Sequence, residues 1–103
     1  METLTFEYPA SKKLLRPAHV GVVGSGDLEV LMEPSAEPFA RIEIRTGCCG
    51  FGETWKHVME RFFRTHDVAA SIRVNDFGAT PGIVAMRLAQ ALEVGQSDEK
   101  PEE

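Results

Sequence analysis

Apolar side chains in this chain recur at every second residue in some stretches and every three to four in others. That change of period limits the fold more than any other feature. In "LEVLME" (28–33), Leu28, Val30 and Met32 alternate with Glu29, Leu31 and Glu33; in "ARIEIRT" (40–46), Ile42 and Ile44 alternate with Arg41, Glu43 and Arg45. A two-residue period places one set on each face of a pleated strand. After "GCCGFG" the period lengthens: Trp55, Val58, Met59, Phe62 and Phe63 fall at i, i+3, i+4, i+7 and i+8, one face of a helix. Lys56, His57, Glu60, Arg61 and Arg64 take the other face. "VAASIRVN" returns to period two through Ala70, Ile72 and Val74. "DFGATPG" then supplies Thr80 as N-cap and Pro81 as first helical residue, ahead of a helix to about Glu93 with Val84, Leu88 and Leu92 inward.

The N-terminal part fits the same scheme. "TLTFEY" alternates within residues 1–17 and reads as an edge strand or an extended arm, and His19–Val23 reads as a short β-branched strand. "PSAEP" is a turn, because Pro34 and Pro38 both break pairing. The middle of the chain is therefore expected to be an antiparallel meander. Strands, helix, strand, helix predict an α+β fold: an antiparallel or mixed sheet with two helices on one face, a two-layer sandwich and not a helical bundle. The chain divides into the N-terminal strand or arm (1–17), the main domain (18–93) and an acidic tail (94–103) expected to be disordered.

At 103 residues the chain makes one domain with a workable core. Its net charge is −5; the tail holds Asp98, Glu99, Glu102 and Glu103 against Lys100, a net −3, which leaves −2 for the rest. That balance argues against a nucleic-acid partner. No apolar run approaches the roughly 20 residues of a membrane span, and "METLTFEYPASKKLL" has no apolar signal core, so direct membrane insertion is not expected. The adjacent Cys48 and Cys49 are read as two free thiols in a reducing cytoplasm, since neighbours cannot easily close a disulfide.

One stretch calls for a chemical explanation. "VGVVGSGDLEVLM" (20–32) sets Ser25 between Gly24 and Gly26, with Asp27 following. The glycine order is G-x-x-G-x-G and leads into a strand, whereas a dinucleotide loop needs G-x-G-x-x-G opening a helix. A hydrolase nucleophile elbow, G-x-S-x-G between strand and helix, does not match either, although His19, His57 and His66 are available as bases. Cys48, Cys49, His57 and His66 lack zinc-ligand spacing, and "DFG" (76–78) stands alone, without the other kinase motifs. Composition does not exclude that hydrolase, and two further readings stand open on the residues alone. Gly-Ser-Gly-Asp is an ordinary hairpin turn, or it is an attachment point whose glycines keep the backbone clear for a modifying enzyme.

"VGSGDLEVLMEP" together with "NDFGATPG" resembles the acyl carrier (delta) subunit of bacterial malonate decarboxylase, over about residues 18–93 and including the "W…V…RFF" helix. The shorter Ser-Gly-Asp element is also similar to the carrier subunit of citrate lyase. The resemblance implies that Ser25 bears 2′-(5″-phosphoribosyl)-3′-dephospho-coenzyme A through a phosphodiester, with Gly24, Gly26 and Asp27 as the supporting loop. It implies a non-catalytic subunit whose arm holds acetyl and malonyl thioesters between a transferase and a decarboxylase. The implied partners are the alpha subunit (acyl transferase), the beta and gamma subunits (decarboxylase), a dedicated prosthetic-group transferase and a malonyl transacylase, all in the cytoplasm. No metal is implied. The alternatives are a carrier in a citrate-lyase-like complex, an unmodified interaction module, or a small hydrolase using Ser25. Familiar acyl carriers are acidic helical bundles with Asp-Ser-Leu at a helix start, so an α+β carrier implies a different arm and a different loading enzyme.

Overall fold

The computed structural model describes residues 1–22, 24 and 26–97. Val23, Ser25 and residues 98–103 lie outside the described residues, and with them the expected setting of the Ser25 hydroxyl and most of the tail. The chain runs β1 (Glu2–Pro9), β2 (Ala18–Gly21), β3 (Leu28–Pro34), β4 (Phe39–Thr46), α1 (Gly52–Thr65), β5 (Ala70–Asp76) and α2 (Pro81–Gln96). The strands form one mixed sheet in the order β1-β4-β5-β3-β2. All neighbouring pairs are antiparallel except β4 and β5, which are parallel and joined through α1. The fold is α+β, as the change of period predicts.

The alternating residues sort as expected. Leu28, Val30, Met32, Ile42, Ile44, Ile72 and Val74 are buried beneath the helices, while Arg41, Arg45, Ser71 and Arg73 stay exposed on the far face. On α1 the buried residues are Trp55, Met59 and Phe62, and on α2 Val84, Leu88, Ala91 and Gly95. Each fully buried Leu, Ile or Met contributes about 1.5–3 kcal/mol relative to exposure, so this one face carries the fold. α1 reaches over β1, where Phe63 stacks on Tyr8 with ring centroids 5.1 Å apart, and α2 covers β2 and β3. None of the described helices is long and apolar enough to cross a membrane.

The expected meander is corrected. β2 and β3 pair as a hairpin, but β3 and β4 are not neighbours, because β5 lies between them. Adjacent strands lie about 4.8 Å apart, so skipping one position requires a reach of roughly 10 Å. The four residues 35–38 can span that, whereas Pro34 and Pro38 suit no tight two-residue hairpin. β5, arriving parallel to β4 after the α1 crossover, pairs along both edges and leaves only β1 and β2 as sheet edges.

One boundary also differs from the sequence expectation. α2 extends to Gln96, three residues past Glu93. Its last turn is held by the segment before β2: Leu15 and Arg16 donate their N–H groups to the Gly95 carbonyl at 3.0 and 3.1 Å. Buried Leu14 lies so close that a Cβ at position 95 would overlap it, so glycine stands there for space. Within residues 1–17, β1 is a full edge strand, one of the two forms expected there, and Ser11 donates to the Asp67 carboxylate through both N–H (2.7 Å) and hydroxyl (2.6 Å).

Candidate functional site

β2 cannot continue past Gly21. Its φ is +87°, and a Cβ there would overlap the Leu28 carbonyl oxygen, so the chain turns away at a position only glycine occupies without strain. The return is closed by Asp27 N–H donating to the Gly24 carbonyl at 3.1 Å, with Gly26 at φ +79° inside that turn. A Cβ built on Gly26 meets nothing within 4 Å, and one on Gly24 meets only a Val22 methyl at 3.9 Å. The described backbone on both sides of Ser25 is therefore open.

The two motif segments, about fifty residues apart in sequence, are joined here. Gly26 N–H donates to the Phe77 carbonyl at 2.8 Å, and Phe77 N–H donates to the Asp27 carbonyl at 2.9 Å, extending the β3–β5 ladder beyond the Leu28–Asp76 pair. Behind Phe77, buried Asp76 holds the loop in shape. Its carboxylate accepts from the Thr46 hydroxyl (2.8 Å) and from the N–H groups of Gly78 (3.2 Å) and Ala79 (2.9 Å). Thr80 then caps α2 as expected, accepting from Ile83 N–H at 3.3 Å ahead of Pro81. The bond from Thr46 to Asp76 also ties the loop to the end of β4.

Asp27 is engaged by a residue that sequence reasoning missed. Arg87 on α2 forks onto it, Nε to Oδ1 at 3.2 Å and Nη2 to Oδ2 at 2.8 Å, while Leu28 N–H donates to Oδ1 at 2.7 Å. The Arg87 hydrogen bonds first, then the Leu28 N–H and the guanidinium charge, hold the Asp27 carboxyl below its usual range despite some desolvation. Arg87 is raised by the same partner. A signal existed: Arg87 is the one basic residue in α2, set beside the inward Leu88. Its partner, 60 residues away, could not be read from spacing.

The pair gives a pH-dependent prediction. A carboxyl lowered by folding stabilises the protein fully above its unfolded value, near 3.8, and that contribution is lost as pH falls through the lower folded value. Arg87→Met should therefore lower the melting temperature at pH 7, and the gap to wild type should narrow as the pH is taken below about 4. Thermal melts of both proteins from pH 7 to pH 3 check this; a gap that does not change with pH would mean that Arg87 acts only through packing.

The remaining chemical residues are dispersed. His19 Nε2 pairs with Glu29 at 2.8 Å on the exposed sheet face, and Asn75 Nδ2 donates to the same carboxylate at 2.9 Å. His66 stacks on Phe62, and His57 is exposed on α1. Cys48 and Cys49 are exposed free thiols after β4. Among the described residues no group of three or more His, Cys, Asp and Glu could hold a metal ion.

Comparison with known proteins bears on the same segments. The family model described as the malonate decarboxylase delta subunit (MdcD), an acyl carrier family, matches residues 15–94. A malonate decarboxylase acyl carrier protein of Pseudomonas aeruginosa is 50% identical over 99 residues, covering 95% of this chain and 100% of its own length. One from Azotobacter vinelandii is 49% identical over 94 residues, covering 90% and 95%. Among solved structures, a chain in the crystal structure of a Pseudomonas malonate decarboxylase hetero-tetramer in complex with malonate superposes with a TM-score of 0.87 at 46% identity. That match covers 91% of this chain and 98% of the other.

Proposed function

This chain belongs to the malonate decarboxylase delta-subunit family of acyl carriers, and from that premise we propose that Ser25 is the covalent anchor of its prosthetic group, 2′-(5″-phosphoribosyl)-3′-dephospho-coenzyme A. The observation that carries this reading is the pairing of Gly26 and Asp27 with Phe77. It joins both motif segments around the one serine flanked by open glycines.

The residues present fit such a group. The open side of Gly26 leaves a loading enzyme room to reach the adjacent hydroxyl. The Asp27 carboxylate, which would otherwise repel a phosphodiester two residues away, is neutralised by the Arg87 fork. Arg45 lines the groove next to Gly24 and offers a cation to phosphate oxygens. When bound, the group supplies a thiol that carries acetyl and malonyl as thioesters between the transferase (alpha) and decarboxylase (beta and gamma) subunits. The chain itself makes and breaks no bonds: β2, β3 and the β5–α2 junction hold the anchor at one end of a rigid sheet, and the tether raises the effective concentration of the cargo at each partner site. In this reading the chain works with the other decarboxylase subunits in the cytoplasm, served by a dedicated prosthetic-group transferase and a malonyl transacylase; the relatives, named malonate decarboxylase acyl carrier proteins, support the link to the decarboxylase.

Loading specificity tests the reading. A general phosphopantetheinyl transferase is expected to seek a serine at a helix start on an acidic bundle. Ser25 follows a β-strand in sequence and precedes another, in a chain with −2 outside its tail. The apo protein with coenzyme A and that enzyme should gain no mass. With the dedicated transferase and the phosphoribosylated dephospho-coenzyme A precursor, the whole prosthetic mass should appear on the peptide containing Ser25. Modification elsewhere, or efficient loading by the general enzyme, would refute the assignment.

A further inference from the structure

Two recesses meet beside the serine loop. The first, about 600 Å³, runs from Gly24 past Arg45 and Asn75 to Phe77 and Gly78. The second, about 370 Å³, is an apolar cleft where α1 approaches the start of α2, walled by Phe51, Trp55, Val58, Ala79 and Val84. Cys48, Asp76 and Gly78 line both, so the two adjoin as one largely apolar groove, with Arg45 at its loop end and aromatic walls between the helices. We infer that this groove is the resting berth of the prosthetic arm, with the arm's phosphates toward Arg45 and its thiol end, bare or acylated, in the cleft beside Trp55. The inference rests on Ser25 being the anchor.

The chemistry of the groove favours this occupant. The arm is anionic near its anchor and becomes an alkyl amide ending in a thiol; the groove has a cation, Arg45, at the loop end and an apolar lining beyond it. Arg45 provides the cation at the loop end; it shares the exposed sheet face with Glu43, its ion-pair partner at 3.3 Å. Asp76 shows the arm little of its carboxylate: it is 6% exposed and takes three hydrogen bonds, from the Thr46 hydroxyl and the N–H groups of Gly78 and Ala79. At the apolar end Phe51 is 53% exposed, an aromatic surface that an alkyl chain would cover. A berthed arm would keep its thiol from bulk oxidants between partner visits, and a partner would have to draw it out.

The groove carries its own reporters. Cys48 lines both recesses, its exposed neighbour Cys49 lines neither, and Trp55 is the only tryptophan of the chain. Alkylation of the full-length Cys49→Ser and Cys48→Ser proteins with iodoacetamide, apo and loaded, separates the two thiols. Loading is scored by intact mass, and the arm's own thiol is counted on the Ser25 peptide. Occupancy of about nine-tenths should slow Cys48 alkylation about tenfold and leave Cys49 unchanged, and Trp55 emission should shift on loading. Thr54→Phe, which fills the cleft mouth from an exposed position on α1, should restore Cys48 reactivity in the loaded protein and leave the mass gained on loading unchanged. A protein that gains the full mass but shows unaltered Cys48 reactivity and Trp55 emission overturns the berth alone. A protein that gains no mass overturns the anchor and the berth together.

Discussion

Ser25→Ala is expected to abolish loading and, with it, malonate decarboxylation by the reconstituted complex, leaving the fold unchanged. The effect should be all-or-none, because without the hydroxyl there is no phosphodiester and no tethered thiol. Among the described residues, the contacts that hold the loop join Gly26 and Phe77, Phe77 and Asp27, and Asp27 and Arg87. Stability should therefore stay within about 0.5 kcal/mol of wild type. Intact mass, a melting curve and carbon dioxide release measured on the same preparation check each part. Residual turnover at the wild-type rate would end the carrier reading, and a variant that unfolds would make Ser25 a turn residue.

Asp76→Ala should have the largest effect on stability. Asp76 is 6% exposed, and its removal leaves the N–H groups of Gly78 and Ala79 without an acceptor at a buried junction and the Thr46 hydroxyl with only the Cys48 carbonyl at 3.4 Å. Leaving one such group unpaired costs about 1–3 kcal/mol, so a loss of about 3 kcal/mol is expected. For a chain of this size that lowers Tm by roughly 15 °C. Asp76→Asn retains a carbonyl oxygen for the two N–H groups and should lose well under half as much. The damage should also reach the serine loop, since Phe77, which follows Asp76, both donates to and accepts from the 24–27 turn. Faster amide exchange at Gly26 and Phe77, and slower loading of Ser25 even below the melting temperature, are the expected signs. An alanine variant that melts within a few degrees of wild type would show that water replaces the carboxylate at little cost.

Residue spacing made much of this legible. The i, i+3, i+4 stripe from Trp55 to Phe63 became the buried face of α1, Thr80 and Pro81 opened α2, and the alternation at 28–32 and 42–44 marked the inward residues of β3 and β4. The meander failed because alternation reports which face a residue takes and is silent on which strand lies beside it. The end of α2 was placed too early at Glu93, since what holds its last turn is Leu14 together with the N–H groups of Leu15 and Arg16, all far away in the chain.

What this sequence determined by itself is local. Period, caps and turn glycines depend on a few neighbouring residues, and they were enough for the α+β class, the helix faces and a serine between glycines whose setting resembles one carrier family. Tertiary structure decided the rest. The insertion of β5 between β3 and β4 brings Phe77 against Gly26 and Asp27, and the placement of α2 over β2 and β3 delivers Arg87 to Asp27. Such contacts join residues about 50 and 60 positions apart, and any acid or amide of the chain could have filled those roles in another register. The choice is made only when the whole apolar face is buried at once, because burial of the shared core outweighs any single polar pair.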